Sequence, residues 1–114
     1  MTFAGNMPVG STIRLMMANK DDLIEAAGKT ATASILQPTN ETSMFALLVS
    51  CVGRRLALGN RTEEELEAVK EKLGEAAVMG GFYSYGEISA DFKGKECHLH
   101  NQTMAITVIT EDEP

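Results

Sequence analysis

The chain predicts an α/β fold: a single domain in the order β-α-β-α-β-β, its mixed sheet packed with two main helices and closed by a C-terminal β-hairpin. Three observations carry that expectation. The run SMFALLVSCV is continuously apolar and short, as in a strand covered on both faces. Helical periodicity appears on either side of it, near residues 20–36 and 62–73. The other apolar segments alternate and are joined by short turn-rich links. With 114 residues the chain fits one domain, residues 1–114, with no internal repeat or linker. A chain of this size buries roughly 65% of the surface its unfolded form exposes, enough for a modest core.

The elements follow in order. Pro8 and Gly10 punctuate an irregular start, and STIRLMM then alternates, with Ile13, Leu15 and Met17 on one face. That pattern predicts a strand exposed on one side. Asn19 followed by Asp22 is an N-cap with a favourable first-turn charge. The helix it opens, Lys20 to Leu36, would bury Leu23, Ile24, Ala27, Ala31, Ser34 and Ile35, and Pro38 would end it. After the apolar strand, GRRLALGNR reads as a turn region with room for a short extra strand. Thr62 and Glu65 form a capping-box pattern for the second helix, with Leu66, Val69 and Leu73 as its buried stripe and Gly74 as its stop. AAVMGGFYSYGEIS predicts a strand interrupted near Gly80–Gly81. DFKGKE predicts a charged turn, and CHLHNQTMAITVIT one last antiparallel strand.

Composition removes several function classes. The net charge is −6, with much of the acidity in EEELE and the terminal EDEP, so the basic footprint of a nucleic-acid binder is absent. Anionic membranes are excluded as partners on the same ground. No secretory pattern opens the chain and no apolar run approaches a membrane span, which makes the cytoplasm the expected location. Cys51 and Cys97 lie in or beside apolar runs and are expected to be small buried hydrophobes rather than a disulfide.

The polar segment CHLHNQT raises the functional question. Strict alternation would put His98, His100 and Gln102 on the face of Met104, Ile106 and Val108, where buried polar groups need partners. His98 and His100 resemble half of a zinc site, but no fixed third and fourth ligand accompanies them, so no metal is expected. No nucleophile elbow, nucleotide loop or catalytic triad is visible, and an enzyme is not expected. Tyr83, Tyr85 and Glu87 share a face and can line a pocket, or can be edge-strand tyrosines beside a solvated carboxylate. Arg54, at the end of the apolar strand, can hold a ligand carboxylate in a bidentate grip. It can equally pair with Glu87 or with a helix carboxylate.

Taken in order, SCVGR, a helix, GFYSYGEI and LHNQT resemble the C-terminal half of the FIST sensory domain, over roughly Met7 to Val108. The resemblance transfers to Ser50, Cys51 and Arg54, to Gly81, Phe82, Tyr83, Gly86 and Glu87, and to His100, Asn101, Gln102 and Thr103. It implies a non-catalytic intracellular input domain that binds a small, amino-acid-like ligand and relays occupancy to a signalling partner. It also implies a missing N-terminal FIST half, or an attached signalling domain, as partner. On this reading Arg54 would take the ligand carboxylate and Glu87 its ammonium, with Tyr83, Tyr85, His100, Asn101 and Gln102 around them. Two alternatives stay open. The motif residues can form a polar core network in a structural or homodimerising module, or the chain can be a fragment of a haem-based gas sensor with His100 as haem ligand.

Overall fold

The computed structural model describes residues 2–3, 5–35, 43–90 and 96–111. The fold class holds: a mixed sheet carries helices on one face, and a strand pair lies near the C-terminus. The predicted Pro38 stop, the charged turn over residues 91–95 and the last three acidic-tail residues lie outside the described residues.

Helix α1 spans Lys20–Ser34 and begins as its sequence dictates. Asn19 Oδ1 accepts from the Asp22 amide at 2.8 Å, and Asp22 Oδ2 accepts from the Asn19 amide at 3.4 Å, closing a capping box. Its buried stripe is Ala27, Gly28 and Ala31, all small. Small residues let α1 lie close to helix α3, Thr62–Leu73: a Cβ on Gly28 would already touch the Ala68 carbonyl oxygen at 3.7 Å. At the other end of this contact Arg61 joins Asp21 of α1 to Glu64 of α3, both at 2.7 Å.

Strand β1, Met44–Cys51, is the centre of a three-stranded sheet ordered β2-β1-β5. It runs parallel to β2, Ala77–Ser84, and antiparallel to β5, Met104–Thr110. Met44, Ala46, Leu48 and Ser50 of β1 turn to the helices and are buried with Val69, Leu73, Ala77 and Met104. The opposite face is only partly covered. There Phe45 and its register partners Val78 and Ile109 are exposed, as is Phe82 farther along β2. The expectation of a strand covered on both faces therefore holds for one face of β1.

Several boundaries differ from expectation. Ser11–Met17 is not a strand: no ladder pairs it among the described residues, and Leu15 and Met17 are 81% and 98% exposed. The region after β1 is helical, not a turn with an extra strand. It forms α2, Val52–Leu58, and a 3-10 turn, Gly59–Arg61. Cys51 Sγ accepts from the Gly53 amide at 3.4 Å and so caps α2, a polar use of a buried thiol. Strand β2 runs unbroken through Gly80–Gly81, and the interruption falls at Tyr85–Gly86. The last predicted strand is two strands: β4, Cys97–His100, pairs with β3, Glu87–Ala90, in a separate two-stranded sheet, while β5 returns to β1. Gln102 makes the break, at φ +57°, a left-handed conformation unusual for a residue with a side chain. Cys97, carried out of the core by that break, is exposed.

Candidate functional site

Two polar constellations stand at the carboxyl end of β1, and they divide the residues singled out in the sequence. The first is built on Arg54, in the first turn of α2 and only 4% exposed. Its Nε donates to Glu65 Oε1 at 2.6 Å, with Nη2 at 2.5 Å from the same oxygen. Nη2 also donates to the Leu23 carbonyl at 2.7 Å, and Nη1 to the Gln102 carbonyl at 3.4 Å. One guanidinium thus joins α1, α3 and the turn between β4 and β5. Arg54 is paired with a helix carboxylate. That carboxylate is Glu65, fully buried, and its burial corrects the capping-box reading. Helix α3 has no side-chain N-cap, and the Thr62 hydroxyl instead donates to the Gly59 carbonyl at 2.7 Å.

Glu87, also buried, takes hydrogen bonds from the Ser84 hydroxyl at 3.1 Å and the Thr103 hydroxyl at 3.2 Å. The Thr103 carbonyl accepts from the Cys51 amide at 2.9 Å, so Glu87 pins the strand break to the end of β1. Gln102 packs its side chain against Gly53, where a Cβ would stand 3.2 Å from Gln102 Cγ. Arg54 and Glu87 are therefore engaged within the protein. Tyr85, 91% exposed, and the exposed Asn101 and Gln102 do not close around them.

The two histidines are separated from the Met104 face by the Gln102 turn. His98 is exposed beside Glu96, 3.3 Å away, and His100 is half-buried with Nε2 at 3.3 Å from the Ser89 carbonyl. Their rings meet edge to face at 6.4 Å. Among the described residues no group of three or more His, Cys, Asp or Glu side chains is placed to hold a metal. His100 sits on the small β3–β4 sheet, whose Ile88 and Leu99 are exposed.

The second constellation is a cavity of about 290 Å³ between α3 and the sheet. Leu48, Ser50 and Met104 line it from β1 and β5, residues 79–83 from β2, and Leu66 from α3. Leu66, expected in the buried stripe of α3, is 40% exposed because Glu65 takes the inward position with Val69 and Leu73. Ser50 and Tyr83 are register partners on the parallel pair β1–β2, so their side chains share this face. Among the described residues, Ser50 Oγ and the Tyr83 hydroxyl are both buried without a hydrogen-bond partner, and so is Glu65 Oε2. Burial, then the nearby Glu65 charge, pushes the Tyr83 hydroxyl above its ordinary pKa, and Arg55 and Arg54 oppose the shift. The exposed guanidinium of Arg55 lies over the Tyr83 ring, 5.3 Å from its centroid. Gly81 is one of the lining residues, and a Cβ on it would overlap the Leu48 carbonyl oxygen.

Residues 1–90 match the model of the FIST C domain. The chain belongs to the FIST C domain family. The matched span contains β1, Arg54, Glu65, Tyr83 and Glu87, and it ends before the His-Asn-Gln-Thr segment. No curated protein and no solved structure matches the chain. The family is one of sensory signal-transduction domains. No helix among the described residues of this FIST C domain is long and apolar enough to cross a membrane.

Of the residues singled out in the sequence, Tyr83 lines the cavity, and Arg54 lies one helical turn beyond the strand that carries Ser50. Glu65 was hidden. Its spacing from Thr62 imitates a capping box, but its spacing from Val69 and Leu73, four and eight residues on, is that of a buried stripe. A carboxylate in that register, after an arginine at the end of a buried strand, is the signal that finds it.

Proposed function

We propose that this FIST C domain is a cytoplasmic, non-catalytic sensory module that binds an amino-acid-sized molecule in the cavity beneath α3 and relays its occupancy to an attached signalling partner. The observation that supports this reading is Ser50: a 96%-buried residue whose hydroxyl has no partner among the described residues and opens on a cavity. Buried polar groups are nearly always satisfied, so an orphan at a cavity wall marks a place for something bound. The position, towards the carboxyl ends of the parallel pair β1–β2, is where α/β sheets commonly take ligands. Relay has a physical route. Leu66 touches the cavity, and its neighbour Glu65 holds Arg54, which holds α1 and the β4–β5 turn. A ligand that favours one seating of α3 then biases the seating of both. The test is a small-molecule panel read by thermal shift on wild type and on Leu66→Trp, which fills the cavity from a partly exposed position. Stabilisation seen only in wild type supports the reading, and hits that Leu66→Trp leaves unchanged place the ligand elsewhere.

A second reading, an interaction or homodimerising module, is favoured by the sheet face away from the helices. Phe45, Val78, Phe82 and Ile109 are 39 to 64% exposed there, an apolar surface of the kind that marks association. Sedimentation velocity on wild type and Phe82→Ser separates the two: a dimer dissolved by the substitution supports association through this face.

A further inference from the structure

The lining of the cavity specifies the charge of what it takes. Its walls, Leu48, Leu66, Met79 and Met104, are apolar, and its polar groups are the hydroxyls of Ser50 and Tyr83. Among the described residues no ionised side chain lines it. The nearest buried charges, Arg54 and Glu65, are paired with each other; the remaining Arg54 donors go to the Leu23 and Gln102 carbonyls, and the exposed Arg55 lies over the Tyr83 ring without lining the cavity. A ligand carboxylate placed here would give up water and meet no cation in the cavity lining, while the Glu65 charge is near enough to act on Tyr83. Each hydroxyl, by contrast, both donates and accepts, which suits an uncharged oxygen or amide. Both hydroxyl oxygens are buried and unsatisfied, and register brings them side by side on neighbouring strands.

We propose that the cavity binds an uncharged small molecule, an apolar body bearing one amide, carbonyl or hydroxyl group that Ser50 and Tyr83 hold together, and that it rejects the zwitterion of a free amino acid. This rests on the cavity being the ligand site of the sensory reading above. The amino-acid-like charge pattern of Arg54 and Glu87 is spent inside the fold, on Glu65 for the one and on Ser84 and Thr103 for the other. The ligand shares the size of an amino acid but not its charges.

A matched set on one branched aliphatic body tests it: 4-methylpentanamide, 4-methylpentanoate, 3-methylbutylamine and leucine, titrated calorimetrically into the full chain at neutral pH. The amide is expected to bind at least about tenfold tighter than the two ions and leucine. Ser50→Ala and Tyr83→Phe should each weaken the amide by about tenfold, the worth of one lost hydrogen bond. Without ligand, both variants should melt at or above the wild-type temperature, because each deletes an unsatisfied group. Tighter binding of leucine or of either ion overturns the proposal and leaves the sensory reading standing, provided that binding is lost in Leu66→Trp. Amide binding indifferent to both hydroxyls, or unliganded variants that melt well below wild type, also overturns it, since the hydroxyls would then have other work. If none of the four binds, the proposal falls for this class of body. If a wider panel then gives no hit sensitive to Leu66→Trp, the cavity reading falls with it.

Discussion

Removing the carboxylate of Glu65 should damage this domain more than any exposed charge substitution. Arg54 and Glu65 are 4% and 0% exposed, and their closest approach is 2.5 Å. Glu65→Ala leaves the guanidinium buried with carbonyl partners alone, a change that costs about 3–5 kcal/mol in comparable buried pairs. For a domain of this size each kcal/mol moves the melting temperature by about 4–8 °C, so the fall should exceed about 12 °C. Because small domains are stable by only about 5–15 kcal/mol, much of the population could unfold at physiological temperature. The double substitution Arg54→Met with Glu65→Leu should recover most of the loss. It removes both charges and leaves only the Leu23 and Gln102 carbonyls without their donor, at about 1 kcal/mol each. Urea denaturation followed by circular dichroism, on the wild type, both single variants and the double, closes the cycle. A Glu65→Ala loss below about 1 kcal/mol, the value of an exposed pair, would refute the reasoning, as would a double variant no more stable than the singles.

Three further outcomes follow from the geometry. Thr62→Ala should cost less than about 0.5 kcal/mol in the same denaturation assay, below the ~1 kcal/mol of a true N-cap, because the hydroxyl bonds only the Gly59 carbonyl. Gly81→Ala should lower stability by about 3 kcal/mol or more and speed amide exchange along β1, since the new methyl has no room against Leu48. In a Tyr85→Phe background the absorbance titration of Tyr83 should have its midpoint above the ordinary value of about 10. The raised pKa means the folded state holds this proton more tightly. Its contribution to stability is complete below the ordinary value and is lost as pH rises through the folded one.

The helices and the central strand were legible because each carries its own signal. Asn19 and Asp22 cap α1 by side-chain chemistry that needs no tertiary partner, and SMFALLVSCV is apolar enough to take the centre of the sheet. What depended on a partner was not legible. STIRLMM has the alternation of a strand, but alternation records which way side chains point, not whether a neighbour exists to pair with. GRRLALGNR lacks a long apolar stripe because α2 buries little beyond Arg54 and Leu58. The last strand breaks at Gln102, a residue type that gives no warning of a left-handed backbone. The site was legible by half: Tyr83 stood out by type, while Glu65 looked like a cap and Ser50 like part of a motif.

Gly81 places a limit on how relatives of this domain can diverge. With Gly81 set against the Leu48 main chain, no side chain can be added at this point of the cavity wall without parting the strands. Tuning for a different molecule is left to the roof and sides, at Leu66, Met79 and Met104, where side chains can be exchanged without parting the strands. On the proposed sensory reading, ligand preference is therefore set from α3 and the cavity sides while the pair β1–β2 stays fixed, and an engineer seeking a new specificity should begin with α3 and leave the sheet alone.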